Sequence, residues 1–176
     1  PAESLNCPDG VSVFVKESSF NDSTSILNLI LKNSGRFDIA GFFIHATNNS
    51  IQEVPTIDFS PYLNESSGGK KFGNSVVYVI GQNSMTPEDT RKNTFEIPSQ
   101  LGKPYSVRIT PVRYQEEGGK TRFVSCGDAK VQQLVGEPFV CVPNCSGRVC
   151  GNDGCGGRCL PDNCGSGFFC DAAGQC

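Results

Sequence analysis

Apolar and polar residues alternate with a period of two along most of the first 140 positions, the spacing of side chains on a half-buried strand. Val11-Ser12-Val13-Phe14-Val15 reads as the first strand. Ile26 to Leu31 (ILNLIL) follows, then the turn residues Asn33-Ser34-Gly35, then Ile39 to Thr47 (IAGFFIHAT). These two runs are expected to pair as a hairpin buried on at least one face. Asn48 to Asn74 loses the pattern and carries Pro55, Pro61 and Ser66-Ser67-Gly68-Gly69, so a long loop is expected there, with a short strand over Thr56 to Phe59. Order resumes at Val76 to Ile80, between Gly73 and Gly81, and again at Thr94 to Ile97. Tyr105 to Tyr114 alternates once more, Glu116 to Lys120 is a turn, and Thr121 to Leu134 returns as the last strand. No capped window shows the helical period. Seven or eight short strands at this spacing predict an all-β, antiparallel sandwich.

The last 36 residues break the pattern. Cys141, Cys145, Cys150, Cys155, Cys159, Cys164, Cys170 and Cys176 alternate with eight glycines and few large apolar side chains, namely Val142, Val149, Leu160, Phe168 and Phe169. So short a stretch cannot bury enough apolar surface to offset the entropy of ordering its backbone. Disulfides are the expected staple. Zinc is the rival, but structural zinc sites favour C-x2-C knuckles and histidine, and the tail contains neither. Connectivity within the tail stays open. Cys7 and Cys126 remain, and their pairing would tie the first strand to the last; Cys7 bonded outside its own domain or subunit is the alternative.

Charge and motifs narrow the partners. The formal net charge of -3 comes without a basic block, which sets nucleic acid aside. No apolar run reaches the length of a membrane span. The chain opens at Pro1-Ala2-Glu3, the expectation for a secreted chain whose leader has been removed. Sequons at Asn21, Asn48, Asn64 and Asn144, all expected in loops, fit an extracellular location and N-linked glycan, with Asn48 and Asn64 favoured.

Two stretches resemble known families. Phe95-Glu96-Ile97-Pro98-Ser99-Gln100-Leu101-Gly102-Lys103-Pro104-Tyr105-Ser106-Val107-Arg108-Ile109 resembles the E-to-F corner of fibronectin type III and related immunoglobulin-like sandwiches. The resemblance implies that Tyr105 is the corner tyrosine, its hydroxyl bonded back across the turn. The segment Ile26 to Gly35, ending Lys32-Asn33-Ser34-Gly35, is similar to the B strand of adhesion-type sandwich modules on microbial surfaces; the tryptophan usual in strand C is missing. Cys150-Gly151-Asn152-Asp153-Gly154-Cys155-Gly156-Gly157-Arg158-Cys159 resembles the CG-x-DGCGG-x-C modules of secreted prokaryotic proteins and, in size and stapling, EGF-like or knottin-type domains. The resemblances imply an immunoglobulin-like β-sandwich over 1–137 and a disulfide-rich EGF-like or knottin-like module over 138–176.

Residues able to carry chemistry are few. His45, the single histidine, falls on a strand as a half-buried residue. Glu116 and Glu117 sit in a hairpin turn as a solvated pair, and Asn152-Asp153-Gly154 reads as turn chemistry rather than a calcium loop. Tyr62, Tyr78 and Phe168-Phe169 are candidates for a sugar-stacking platform, and the phenylalanine pair also for a contact patch. No catalytic residue, metal or cofactor is expected. The expected function is that of a secreted, non-catalytic structural protein, a homo-oligomeric or polymeric subunit of an extracellular filament or surface assembly. It would self-associate through sandwich edges, termini and the stapled module. An extracellular adhesion or carbohydrate- or protein-binding module is the alternative, and an enzyme or enzyme inhibitor the third class.

Overall fold

The computed structural model describes residues 7–79, 82–136, 144–151, 158–162 and 164–176. The chain divides into two compact units, Pro1–Pro138 and Phe139–Cys176. Among the described residues no helix is long and apolar enough to cross a membrane; the helical pieces are three-residue 3₁₀ turns.

The first unit contains β1 (Val13–Asn21), β2 (Ile26–Asn33), β3 (Gly41–Thr47), β4 (Ile57–Asp58), β5 (Leu63–Asn64), β6 (Lys70–Phe72), β7 (Ser75–Val77), β8 (Thr90–Glu96), β9 (Ser106–Glu117), β10 (Lys120–Ser125) and β11 (Val131–Leu134). One antiparallel sheet has the order β1-β2-β8-β5. The other centres on β9 and β3: β10 and β11 share one edge of β9, while β7 and β4 share the free edge of β3, with β6 beyond β7. All the strand pairs within the two sheets are antiparallel. Leu27, Leu29, Leu31 and Phe95 from the first sheet meet Phe42, Ile44, Val107 and Ile109 from the second, all essentially without solvent contact. The cross-strand pairs Leu27↔Phe95 and Ile44↔Ile109 show that register serves this burial.

The expected hairpin of Ile26–Leu31 with Ile39–Thr47 does not form. Both edges of β2 are taken, by β1 and β8, and β3 lies in the opposite sheet. The connection is a crossover that Asn33 holds. Its fully buried side chain donates to the Phe37 and Met85 carbonyls, both at 2.9 Å, and accepts from Gly35 N at 3.0 Å. Gly35 lies so close to Gly10 O and Ser12 N that a Cβ would clash. An Asn-Ser-Gly sequence between apolar runs marks a turn, but the partner of each run is set by where its edges find mates.

Three other expectations change. Asn48–Asn74 is not one loop: Phe59, buried at its middle, anchors β4, β5, β6 and two 3₁₀ turns. Thr121–Leu134 is broken at Cys126, whose N–H donates to Pro111 O (2.8 Å) before a turn over Gly127–Ala129. The strand at Val76–Ile80 ends at Val77, and Ile80 lies outside the described residues. The Glu116–Lys120 turn is tight, with positive φ at both Gly118 (53°) and Gly119 (72°), the geometry a two-residue hairpin requires. Beyond β11, Gly136 N donates to Ser18 O and Phe20 N to Gly136 O, so the chain leaves the sandwich running parallel to β1.

Among its described residues the second unit has almost no apolar interior. Cys150, Cys159 and Gly174 are its buried residues among those described. Backbone bonds Val149 N to Gly174 O, Cys159 N to Gly151 O and Asp162 N to Val149 O cross it. Gly174, at φ 80°, lies against the Arg148 side chain, where a Cβ would not fit.

Candidate functional site

Every described cysteine is in a disulfide. Cys7 bonds Cys126, with Cα atoms 5.2 Å apart, so the leftover pair closes within the chain. In the tail the pairs are Cys145–Cys159, Cys150–Cys170 and Cys164–Cys176. Cys141 and Cys155, and the turn residues Asn152 and Asp153, lie outside the described residues. The Sγ atoms of Cys150, Cys164 and Cys176 lie within 4.8 Å of one another, but each is bonded to another sulfur and offers no thiolate to a metal. Asp162 sits beside this frame, its Oδ1 accepting from Gly151 N (3.1 Å) and from Arg158 Nη2 (3.1 Å). Hydrogen bonding from Arg158, then from the Gly151 N–H, holds its carboxyl below the ordinary value.

The sequons are less uniform than loops. Asn21 ends β1 and Asn64 lies in β5, half-buried, while Asn48 and Asn144 are exposed outside strands. The Oδ1 atoms of Asn21, Asn64 and Asn144 each accept the backbone N–H two residues on, an Asx turn that organises the sequon itself. Asn48 instead donates its amide to Leu101 O at 2.8 Å.

His45 is half-buried on β3, opposite Arg108 and Asp58. Glu116 and Glu117 are exposed, and Glu117 pairs with Arg122 at 3.4 Å. Tyr105 is not a corner tyrosine. It is 41% exposed between buried Pro104 and Ser106, and its backbone, through Tyr105 N to Thr47 O and Val135 N to Tyr105 O, makes the turn's contacts. The strand period sends its ring outward. Of the residues proposed for a stacking platform, Tyr62 packs edge-on to Phe59, Tyr78 tilts against Phe42, and Phe168-Phe169 belongs to the second unit. That pair and Leu160 are 65%, 88% and 81% exposed. Outside the sandwich core, Phe43, Phe72 and Tyr114 gather round Phe123 with ring centroids 5.0–6.4 Å away.

Sequence reasoning missed a cleft of about 330 Å³ at one end of the sandwich. Its walls are the Ser67-Gly68-Gly69 turn, Tyr78, Val79, Ser84 and Thr90–Lys92. β8 pairs with β5 only at Thr94 and Phe95, so Thr90–Lys92 has no strand on that side. In register with Leu29 and Leu31, Asn93 and Arg91 take the inward positions that Phe95 fills further along. Arg91 lies over the Tyr78 ring, 5.5 Å from its centre, and its Nη2 donates to Ser84 O (3.2 Å) and Asp89 Oδ2 (3.3 Å). Tyr78 donates to Asn93 Oδ1 (3.3 Å), and Asn93 Nδ2 to Gly68 O (2.7 Å). Burial raises the Tyr78 phenol above its ordinary value, opposed by the Arg91 charge, so it stays neutral. Arg91 Nε and Ser84 Oγ are buried without a protein partner.

Comparison with protein families, with curated proteins and with solved structures returns no match to this chain.

Proposed function

We propose that this chain is a secreted, non-catalytic structural protein, a subunit of an extracellular filament or surface assembly. The reading rests on how its two units are stapled and on what they expose. Four described disulfides suit an oxidising compartment. The observation that carries the assembly is the apolar trio of the second unit, Leu160, Phe168 and Phe169, held outward on a frame with no core to receive it. Such side chains on a rigid, small unit suit contact with another copy, and a head-to-tail contact that does not close produces a fibre.

The physical reading moves the contact away from the sandwich edges. β6 carries Lys70 and Lys71, β10 carries Lys120 and Arg122, and β1 is bulged between Val15 and Glu17, all devices that discourage strand addition. Of the termini expected to take part, residues 1–6 lie outside the described residues. The sandwich is read as a member of the broad immunoglobulin-like and fibronectin type III-like group, with the second unit a module of the EGF-like or knottin type. N-linked glycan at Asn21, Asn48, Asn64 and Asn144 would keep the sandwich surface soluble.

The test is electron microscopy and sedimentation of the secreted protein under non-reducing conditions, beside the variant Leu160→Ser/Phe168→Ser/Phe169→Ser. Long uniform fibres that the variant cannot form are expected. Monomers at every concentration would overturn the assembly, and binding of those monomers to a glycan array would favour an adhesion module. Turnover on a substrate panel would overturn the non-catalytic assignment.

A further inference from the structure

We infer that Asn21 is the sequon at which sugar is added to the folded chain, and that Asn48 takes sugar only before folding. Resting on the glycan-bearing reading of the chain, this order concerns where and when sugar is attached, whether or not the chain polymerises. Position in an unpatterned stretch favours Asn48 and Asn64, but the folded geometry reverses that order. All four sequons end in serine, at Ser23, Ser50, Ser66 and Ser146, so the third residue does not separate them and their surroundings must. Asn21 ends β1 at the tip of the β1–β2 connection, where Asn21, Asp22, Ser23 and Thr24 are all exposed. Its Oδ1 accepts from Ser23 N (2.9 Å), Ser23 Oγ (3.0 Å) and Thr24 N (3.3 Å). Ser25 N closes the turn on Asn21 O at 2.8 Å. Donors gathered on the oxygen fix the amide plane, and Nδ2, at its other end, has no acceptor among the described residues. Asn64 and Asn144 accept only the serine N–H, and Asn64 is half-buried on β5 beside Thr94 of β8.

Asn48 has the opposite arrangement. Its Nδ2 donates to Leu101 O at 2.8 Å, across to the 3₁₀ turn Ser99–Leu101, so the nitrogen itself is engaged. The Asx turn of this segment forms one residue later, with Asn49 Oδ1 accepting from Ile51 N at 2.9 Å, and Asn49 opens no sequon. The nitrogen is the atom that reacts. In N-linked transfer Nδ2 attacks the anomeric carbon of a sugar carried on a lipid phosphate. The nitrogen–carbon bond forms and the carbon–oxygen bond to phosphate breaks. Phosphate leaves with the electron pair, and one Nδ2 proton passes to a base of the transferring enzyme. A nitrogen already donating must first release its acceptor. Giving up one net hydrogen bond lowers the reactive fraction about two- to tenfold. On the unfolded chain neither the Leu101 bond nor the Asn21 turn exists, and the two sequons become equivalent.

The test incubates the full, sugar-free chain with a lipid-linked oligosaccharide donor and its transferase, once folded and oxidised and once reduced and carboxymethylated. Peptide mass spectrometry follows each sequon with time. On the folded chain Asn21 is expected to fill about threefold faster than Asn48, or more. On the carboxymethylated chain the two are expected to fill within about twofold of each other. Asn48 filling as fast as Asn21 on the folded chain would overturn the order. A preference for Asn21 that persists unchanged on the carboxymethylated chain would overturn its origin in the fold. Transfer to Asn21 only on the carboxymethylated chain would overturn attachment after folding while leaving the chain a glycoprotein. No transfer to any sequon in either state would overturn the glycan-bearing reading itself, and the order with it.

Discussion

Removing the Cys7–Cys126 bond by the double substitution Cys7→Ala/Cys126→Ala tests how the sandwich is held. The bond spans a sequence separation of 119 and joins the segment before β1 to the break between β10 and β11. In the chain-entropy account, closing a loop of that length lowers unfolded-state freedom by about 5 kcal/mol at room temperature. Cys126 is also buried, so the lost sulfur removes core contacts worth about 1 kcal/mol more. Domains of this size are stable by roughly 5–15 kcal/mol, so the substitution removes a large share of the whole. The assay is urea unfolding followed by far-ultraviolet circular dichroism and tyrosine emission, since the chain has no tryptophan. With a slope of about 2 kcal/mol per molar, the midpoint should fall by roughly 3 M. Because the native contacts around Pro8 to Ser12 persist through Arg36 N to Gly10 O and Ser34 N to Ser12 O, the folded spectrum should be unchanged in water. A midpoint shift below about 0.5 M would refute the reasoning, since the bond would then close a loop already closed by packing.

Other substitutions probe single contacts. Gly41→Ala places a methyl group against the Val76 carbonyl where β3 meets β7 and should cost about 3 kcal/mol or more, read as a fall of roughly 10 °C in melting temperature. Asn33→Ala takes one of two donors from the buried Met85 carbonyl, which keeps Ile39 N, and removes the amide bonded to the Phe37 carbonyl; it should cost roughly 1–3 kcal/mol in denaturant unfolding, whereas an exposed neighbour such as Ser34→Ala should be near neutral. Acid should loosen the second unit. The Asp162 carboxyl is held below its unfolded value, so its contribution is present above the ordinary carboxylate range and is lost as pH falls through the folded value. Asp162→Asn should flatten that dependence, as followed by amide exchange at Gly151, whose N–H the carboxylate accepts. An unaltered acid limb in the variant would count against the Arg158–Asp162 pair as its source.

The legible part of the fold is the part where burial and period agree. Leu27, Leu29 and Leu31 point inward at every second position, and β2 ran where their spacing placed it. The Gly118-Gly119 turn and the Cys7–Cys126 pairing were equally readable, the first because positive φ favours glycine and the second because the tail was even by itself. Pairing partners were not readable. The hairpin expected between β2 and β3 failed because adjacency along the chain says nothing about which sheet edge is free, and a crossover between sheets looks like a turn in sequence.

The cleft was missed for a related reason. The strand over Thr94–Ile97 seemed to begin where apolar residues begin, whereas β8 starts at Thr90 and carries Arg91 and Asn93 inward. A pattern reader discards such residues as loop, because alternation with polar side chains on both faces has no amphipathic signal. Yet a strand kept in register by Leu29↔Asn93 and Leu31↔Arg91, while placing a guanidinium where a leucine would serve stability better, gives up core contacts at that end. The compensation visible within the protein, Arg91 on Tyr78, Ser84 O and Asp89, leaves Nε and the Ser84 hydroxyl unmatched.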